Sequence, residues 1–210
     1  MNRKMNTGEI IKVGVILFLI TAVLAGLLAF VNAMTAPLIE QNAIAAEQEA
    51  MKTVMPDASS FKEVELNLKD LLPDQMDELL NLATENDGEI SKMFIALDAN
   101  GETIGACVIT VTTGYDVGIQ TVTGVDKNLT VTGVDIISMN ETPGLGANAD
   151  NPEFRAQYEG KSGEIKVVKT AAGDDSIQAI AGATKSSNGV TRGVNLALNV
   201  AKILLEGGNE

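Results

Sequence analysis

The chain has 210 residues and a formal net charge of −13, with 45% apolar residues but only 3% aromatic residues and no histidine. The acidic balance and the scarcity of aromatic side chains argue against nucleic acid as a partner, because neither phosphates nor stacked bases would be held. Without histidine there is no catalytic triad, Cys-His pair or histidine metal ligand. The single cysteine, Cys107, rules out an intrachain disulfide and a thiolate metal site. We therefore expect no catalytic and no metal-binding residues, and any redox chemistry requires a bound cofactor.

An uncharged apolar run lies near the N-terminus, over residues 13–33, and Arg3, Lys4 and Lys12 precede it. As a helix this run is about 31 Å long at 1.5 Å per residue, which is enough to cross a bilayer. We predict one transmembrane helix over 13–33. A cleaved signal peptide is the alternative, since Val31-Asn32-Ala33 offers small residues for cleavage, although the apolar run exceeds the usual signal core of about 7–15 residues.

The charges on the two sides of the span predict its orientation. Basic residues dominate 1–12, whereas residues 34–210 contain 12 basic and 27 acidic side chains. Because positively charged flanks stay on the cytoplasmic side, we expect a cytoplasmic N-terminus over 1–12 and an extracytoplasmic remainder, held in the lipid of the cell membrane. The acidic surface of the outer part favours solubility over adhesion to anionic headgroups.

Beyond the span, the pattern is first helical and then mostly β. Residues 34–55 are rich in Ala, Glu and Gln and predict a stalk helix that ends near Pro56, followed by a domain over 56–210. Strands with helices before and after them indicate an α+β domain, in which helices pack on a mainly antiparallel sheet. The pattern predicts strands over 61–68, 93–97, 103–111, 119–125, 129–137 and 165–168, and helices that begin at Pro73 and at Asn151-Pro152.

The most distinctive stretch is Ile180-Ala-Gly-Ala-Thr-Lys-Ser-Ser187, where a brief strand containing Ile177 and Ile180 gives way to a long amphipathic helix. Gly182 ends the strand, Ser186 or Ser187 is the predicted N-cap, and Gly207-Gly208 is the predicted end of the helix. Thr184 then lies just before a helix N-terminus, where free amides favour an anion. A Walker A loop is rejected because Thr184 occupies the place of its last glycine. An ordinary strand-to-helix turn remains the alternative.

Two glycine-rich segments accompany this stretch: residues 114–118, which include Tyr115, and residues 141–146. Thr142-Pro143-Gly144-Leu145 fits a type II turn, with proline and glycine at its two central positions. Glycine lets the backbone come close to a flat ligand, although both segments are also consistent with structural loops.

Together, Gly-Tyr-Asp-Val-Gly (114–118), Glu-Thr-Pro-Gly-Leu-Gly (141–146) and Gly-Ala-Thr-Lys-Ser-Ser (182–187) resemble, in this order, the motifs of the FMN-binding domain family. The chain departs from the family pattern at Gln178 and Ala181, where Asp and Ser or Thr are usual. The resemblance implies FMN joined covalently through its phosphate to Thr184. It also implies a cofactor site formed by Tyr115, Glu141, Thr142, Gly144, Leu145 and Gly146 together with Gly182, Ala183, Lys185, Ser186 and Ser187.

Within that family the chain is most similar to the G subunits of Rnf complexes, which are shorter than the related C subunits of sodium-pumping NADH:quinone reductases. The resemblance implies an electron-relay subunit of a membrane complex that moves electrons between ferredoxin and NAD and exports Na⁺ or H⁺. It also implies two kinds of partner: the other membrane and peripheral subunits, and a flavin transferase of the ApbE type that uses FAD and Mg²⁺. The alternatives are such a C subunit and an extracytoplasmic binding or scaffold module without a redox role.

Overall fold

A computed structural model describes residues 7–65 and 73–206, and the chain divides into two units, residues 1–45 and 46–210. Helix α1, Thr7–Val54, begins in the first unit and ends in the second. Among the described residues, α1 is the one helix long and apolar enough to cross a membrane. Its residues 10–45 are all exposed, including the whole uncharged run 13–33. The helix ends at Val54, directly before Met55-Pro56, as the sequence predicts.

The second unit is built on a five-stranded antiparallel sheet whose strands follow one another in chain order. The strands are β1 (Ser60–Val64), β2 (Gly88–Leu97), β3 (Thr103–Thr113), β4 (Val117–Asp126) and β5 (Val131–Ser138). Helix α2, Pro73–Glu85, lies between β1 and β2 in the sequence. The predicted α+β class is confirmed, and the predicted strands are present with bounds that differ by a few residues. Residues 66–68 of the first predicted strand lie outside the described residues, and the strand predicted to contain Ile177 and Ile180 ends at Gln178.

The chain after β5 forms short elements and then one long helix. Helix α3, Pro152–Arg155, begins at the predicted proline, but the side chain of Asn151 makes no capping hydrogen bond. Strands β6 (Lys166–Val168) and β7 (Ser176–Gln178) pair in parallel, which is the one departure from antiparallel pairing among the described strands. Helix α4, Thr184–Glu206, follows. The predicted glycine stop at 207–208 lies outside the described residues.

The two faces of the sheet have different covers. Helix α4 packs on one face, here called the α4 face, where it buries residues such as Val194 and Ala197 against β3 and β4. The last turn of α1 and Met55 cover the opposite face, here called the Val54 face. Val54 lies against Gly124 and Gly133, which pair across β4 and β5. Because glycine has no side chain, the end of α1 comes close to the backbone of the sheet at these two residues. The Thr132 hydroxyl donates to the Val54 carbonyl at 2.6 Å.

Candidate functional site

The three motif segments, 114–118, 141–146 and 182–187, line one cleft of about 500 Å³ in the second unit. Its walls come from the turn between β3 and β4, from the loop after β5, and from the start of α4. The lining residues are Tyr115, Glu141, Thr142, Leu145, Gly146, Gly182, Ala183, Thr184, Lys185 and Ser186. A larger cleft, of about 690 Å³, lies elsewhere between the sheet and the end of α4, and none of these residues lines it.

Helix α4 begins three or four residues earlier than an N-cap at Ser186 or Ser187 predicts. Its first residue is Thr184, and the Ala183 amide donates to the Ile180 carbonyl at 3.0 Å. The prediction that Ser186 or Ser187 is the N-cap is therefore wrong, because both serines lie inside the first turn. The Ser187 hydroxyl accepts the Ile180 amide at 3.0 Å and donates to the Ala183 carbonyl at 3.0 Å. Ser187 is thus buried, does not line the cleft, and fixes the turn that leads into the helix.

The half-buried Thr184 stands at the N-terminal end of a helix of 23 residues. Among the described residues, no acceptor is bonded to the backbone amides of Thr184, Lys185 or Ser186. The first amides of a helix have no partner within the helix, and together with the helix dipole they favour an anion. The cleft therefore has a positive end at Thr184, and the exposed Lys185 side chain, which also lines the cleft, adds a positive charge.

The turn between β3 and β4 gives the cleft its aromatic wall. The Gly114 amide donates to the Asp116 carbonyl at 2.9 Å, which closes a tight turn around Tyr115. The Tyr115 side chain is 73% exposed. The Lys185 ammonium lies 5.6 Å from the centre of its ring, within the range of a cation–π contact. The turn and the start of α4 are thus joined at the mouth of the cleft.

The loop after β5 contains the predicted type II turn. The Leu145 amide donates to the Thr142 carbonyl at 3.1 Å, and Gly144 has φ of +77°, which glycine adopts without strain. The turn leaves the Leu145 side chain 46% exposed beside the cleft. Gly144 forms the turn but does not itself line the cleft.

Glu141 connects all three segments. Its Oε1 accepts the Tyr115 amide at 2.8 Å and the Asp116 amide at 3.3 Å. Its Oε2 accepts the Ser186 hydroxyl at 2.8 Å. A Cβ atom at Gly114 or Gly146 would collide with this carboxylate. Both positions must therefore be glycine if the segments are to approach so closely.

Sequence reasoning missed two parts of this arrangement. It gave Gly114 no role beyond its motif, and it did not predict that Ser186 bonds Glu141, a residue 45 positions earlier in the chain. No local pattern reports a contact at that separation. Among the described residues there is no cluster of three or more acidic, cysteine or histidine side chains that could hold a metal ion.

Comparisons with known proteins identify the relatives of this chain. Residues 114–199 match the FMN-binding domain family, and residues 1–54 match the RnfG N-terminal region. The chain is 37% identical over 196 residues to the G subunit of the Na⁺-translocating ferredoxin:NAD⁺ oxidoreductase complex of Acetobacterium woodii, with 91% of each chain covered. It is 30% identical over 181 residues to the G subunit of the proton-translocating ferredoxin:NAD⁺ oxidoreductase complex of Clostridium ljungdahlii, with 85% of each covered.

The crystal structure of Shewanella oneidensis NqrC shares the fold. Its TM-score is 0.54 at 17% identity, and the alignment covers 75% of this chain and 86% of that one. The likeness agrees with the predicted antiparallel sheet and flanking helices. On its sequence similarity over nearly its whole length, the chain belongs to the RnfG family, the G subunits of ion-translocating ferredoxin:NAD oxidoreductase complexes, and carries that family's FMN-binding domain.

Proposed function

We propose that this chain is the electron-relay subunit of a membrane ferredoxin:NAD oxidoreductase, with FMN esterified through its phosphate to the Thr184 hydroxyl. One observation carries the attachment site: Thr184 is the first residue of α4, half-buried in the cleft, beside three amides without acceptors. A phosphate on this oxygen would lie against those amides and the positive end of the helix dipole. The proposal thus explains why a hydroxyl residue begins the helix.

The rest of the cleft fits the organic part of FMN. Its volume of about 500 Å³ is within the range of roughly 300–1,000 Å³ typical of ligand pockets. In the described part of 46–210, the exposed large apolar side chains are Leu80, Tyr115, Val117 and Leu145. Tyr115 and Leu145 line the cleft, and Val117 lies two residues from Tyr115. A bound flat ring would cover apolar surface that is otherwise costly to expose.

Each part of the cleft has its own role in holding FMN. Thr184 holds the phosphate, and the amides at the start of α4 together with Lys185 balance its charge. The two glycine-rich loops approach the ring and shield it from water. Bound FMN supplies the reversible uptake of electrons, because the single cysteine of this chain has no second thiol with which to form a redox-active disulfide. Covalent attachment keeps the cofactor at a high effective concentration outside the cell, where a released one would be lost.

The attachment requires a second protein. A flavin transferase of the ApbE type would take FAD with Mg²⁺, so that the Thr184 oxygen attacks the pyrophosphate, a phosphoester forms, AMP leaves and the hydroxyl proton is released. The departures at Gln178 and Ala181 leave this chemistry possible, because neither removes the acceptor hydroxyl. Gln178 is exposed, and its backbone amide donates to the Gln157 side chain at 2.7 Å.

The anchor and the partners complete the proposal. Residues 13–33 would cross the membrane once, with 1–12 in the cytoplasm, a stalk over 34–55 and the FMN-binding domain over 56–210 outside. The relatives in Acetobacterium and Clostridium carry names that specify Na⁺ and H⁺ respectively. We extend to this chain what those names share: a place among other membrane and peripheral subunits in a complex that couples ferredoxin and NAD chemistry to the export of one of these ions.

Substitution of Thr184 by Ala tests the attachment. After co-expression with the transferase, the wild type should give a flavin-fluorescent band on a denaturing gel and gain the mass of one FMN less one water. Thr184→Ala should lose both signals completely, because the acceptor oxygen is gone. Thr184→Ser, which keeps a hydroxyl, is the matched control and should retain the adduct at least in part. A fluorescent band that persists in Thr184→Ala would refute the attachment site.

The orientation can be tested with cysteine labelling, because the single native cysteine should not react with the label. Cys107 is fully buried, and burial raises the pKa of its thiol to about 12, so it stays protonated and inaccessible. Asp174→Cys, in an exposed loop, should react with a membrane-impermeant maleimide in intact cells. Asn6→Cys should react only after permeabilisation. The reverse pattern would contradict the extracytoplasmic placement.

A further inference from the structure

Glu141 is the only charged side chain among the buried ones, for the residues whose burial the structure describes. It is 8% exposed, and no lysine or arginine of the described residues forms an ion pair with it. Its three bonded neighbours are neutral donors, namely two backbone amides and the Ser186 hydroxyl. Glu141 also lines the cleft. A buried negative charge without a cation therefore forms part of the cleft wall.

Such a charge is costly, and the contacts of Glu141 do not require it. Taking a carboxylate out of water has a large desolvation penalty, which hydrogen bonds offset only in part. A glutamine would be less costly to bury and could make the same bonds. Its amide oxygen would accept the Tyr115 and Asp116 amides, and its NH₂ group would donate to the Ser186 hydroxyl. The role of joining three segments thus accounts for the hydrogen bonds of Glu141 but not for its charge.

We propose that the Glu141 carboxylate lowers the redox potential of the flavin, an inference that rests on the proposed function of this cleft. Each electron that the flavin gains without a proton adds negative charge close to a fixed negative group. In the low dielectric of a buried wall, that repulsion is much stronger than in water. The reduced flavin is therefore destabilised relative to the oxidised one. Glu141 positions the loops through its hydrogen bonds. Its fixed charge also lowers the potential of the flavin towards that of a low-potential electron donor.

The test compares potentials of the full-length flavinylated protein in detergent, by redox titration followed in the visible spectrum. Glu141→Gln should shift the midpoint upwards while thermal stability and flavin content stay close to wild type, because shape and hydrogen bonds are kept. Glu141→Asp keeps the charge and should stay closer to wild type than Glu141→Gln. Asp116→Asn is the matched control: it removes an exposed charge of the same site and should give a small shift that disappears at high salt.

Several outcomes would overturn the proposal. One is a midpoint potential that shifts no further in Glu141→Gln than in Asp116→Asn. Another is a Glu141→Gln protein that folds but takes up no flavin. Should Glu141→Gln not fold, Ser186→Ala decides the question. The Ser186→Ala substitution removes one hydrogen-bond donor to Glu141 and leaves the carboxylate charge less well compensated, so the midpoint potential of the flavin should fall. A rise or no change in that potential would count against the proposal. These failures differ from failure of the proposed function, in which the wild type itself carries no flavin.

Discussion

The two faces of the central sheet are both covered by helix, yet they are built differently. On the Val54 face, Cys107, Ile109 and Val122 meet an apolar helix end, and the buried side chains there are all apolar. On the α4 face, Thr110, Thr112, Thr121 and Thr123 are buried along β3 and β4. One face is a plain hydrophobic contact, whereas the other contains polar groups and leads to the cleft. The α4 face also buries apolar clusters of its own, so both faces stabilise the fold, and the buried polar groups are what distinguish the α4 face.

The threonines lie on the α4 face because of the strand register. Thr110 pairs with Thr121 across β3 and β4, and side chains alternate between faces along each strand. The Thr112 hydroxyl donates to the Gly189 carbonyl of α4 at 2.9 Å. The hydroxyls of Thr110, Thr121 and Thr123 have no partner among the described residues. The α4 face therefore gives up some stability, whereas the Val54 face does not.

The largest expected effect comes from a cavity in the Val54 face. Ile109 is fully buried there, so Ile109→Ala should lower the free energy of unfolding by about 2–5 kcal/mol. Urea unfolding of the full-length protein in detergent measures this loss. Flavin content under native conditions should not change, because Ile109 lies on the opposite face from the cleft. A folded Ile109→Ala protein without flavin would show that the two faces are not separate in function.

A smaller effect should distinguish the threonines of the α4 face. Thr112→Val removes a buried hydrogen bond and should cost about 1 kcal/mol in the free energy of unfolding. Thr110→Val removes a hydroxyl that has no partner among the described residues, and should leave stability unchanged or raise it by up to about 1 kcal/mol. Chemical denaturation of the two variants side by side gives the difference. Equal losses in both would mean that the Thr110 hydroxyl is bonded in solution.

Much of the fold was predictable because its signals are local. The strand patterns over 93–97, 103–111, 119–125 and 129–137 and the prolines at the start of α2 and of α3 predicted elements that the structure contains. The type II turn around Gly144 was predicted for the same reason. The N-cap was predicted wrongly, because Ser186 and Ser187 have the residue type of a cap but use their hydroxyls for other hydrogen bonds. Ser186 bonds Glu141, and Ser187 closes the turn at Ile180.

The order of residues along the chain was enough to establish the apolar helix near the N-terminus, the strands, the final helix and the family to which the three motifs point. The elements depend on hydrophobic periodicity and turn chemistry, which act over a few residues, whereas the family was indicated by the resemblance of the three motifs. Tertiary packing was needed to establish that the motifs share one cleft, that α4 begins at Thr184, and that a lone buried carboxylate joins the three segments. Such facts depend on close approach between elements that are far apart in the chain, such as Thr112 and Gly189, which are 77 positions apart, and no local pattern encodes such a contact.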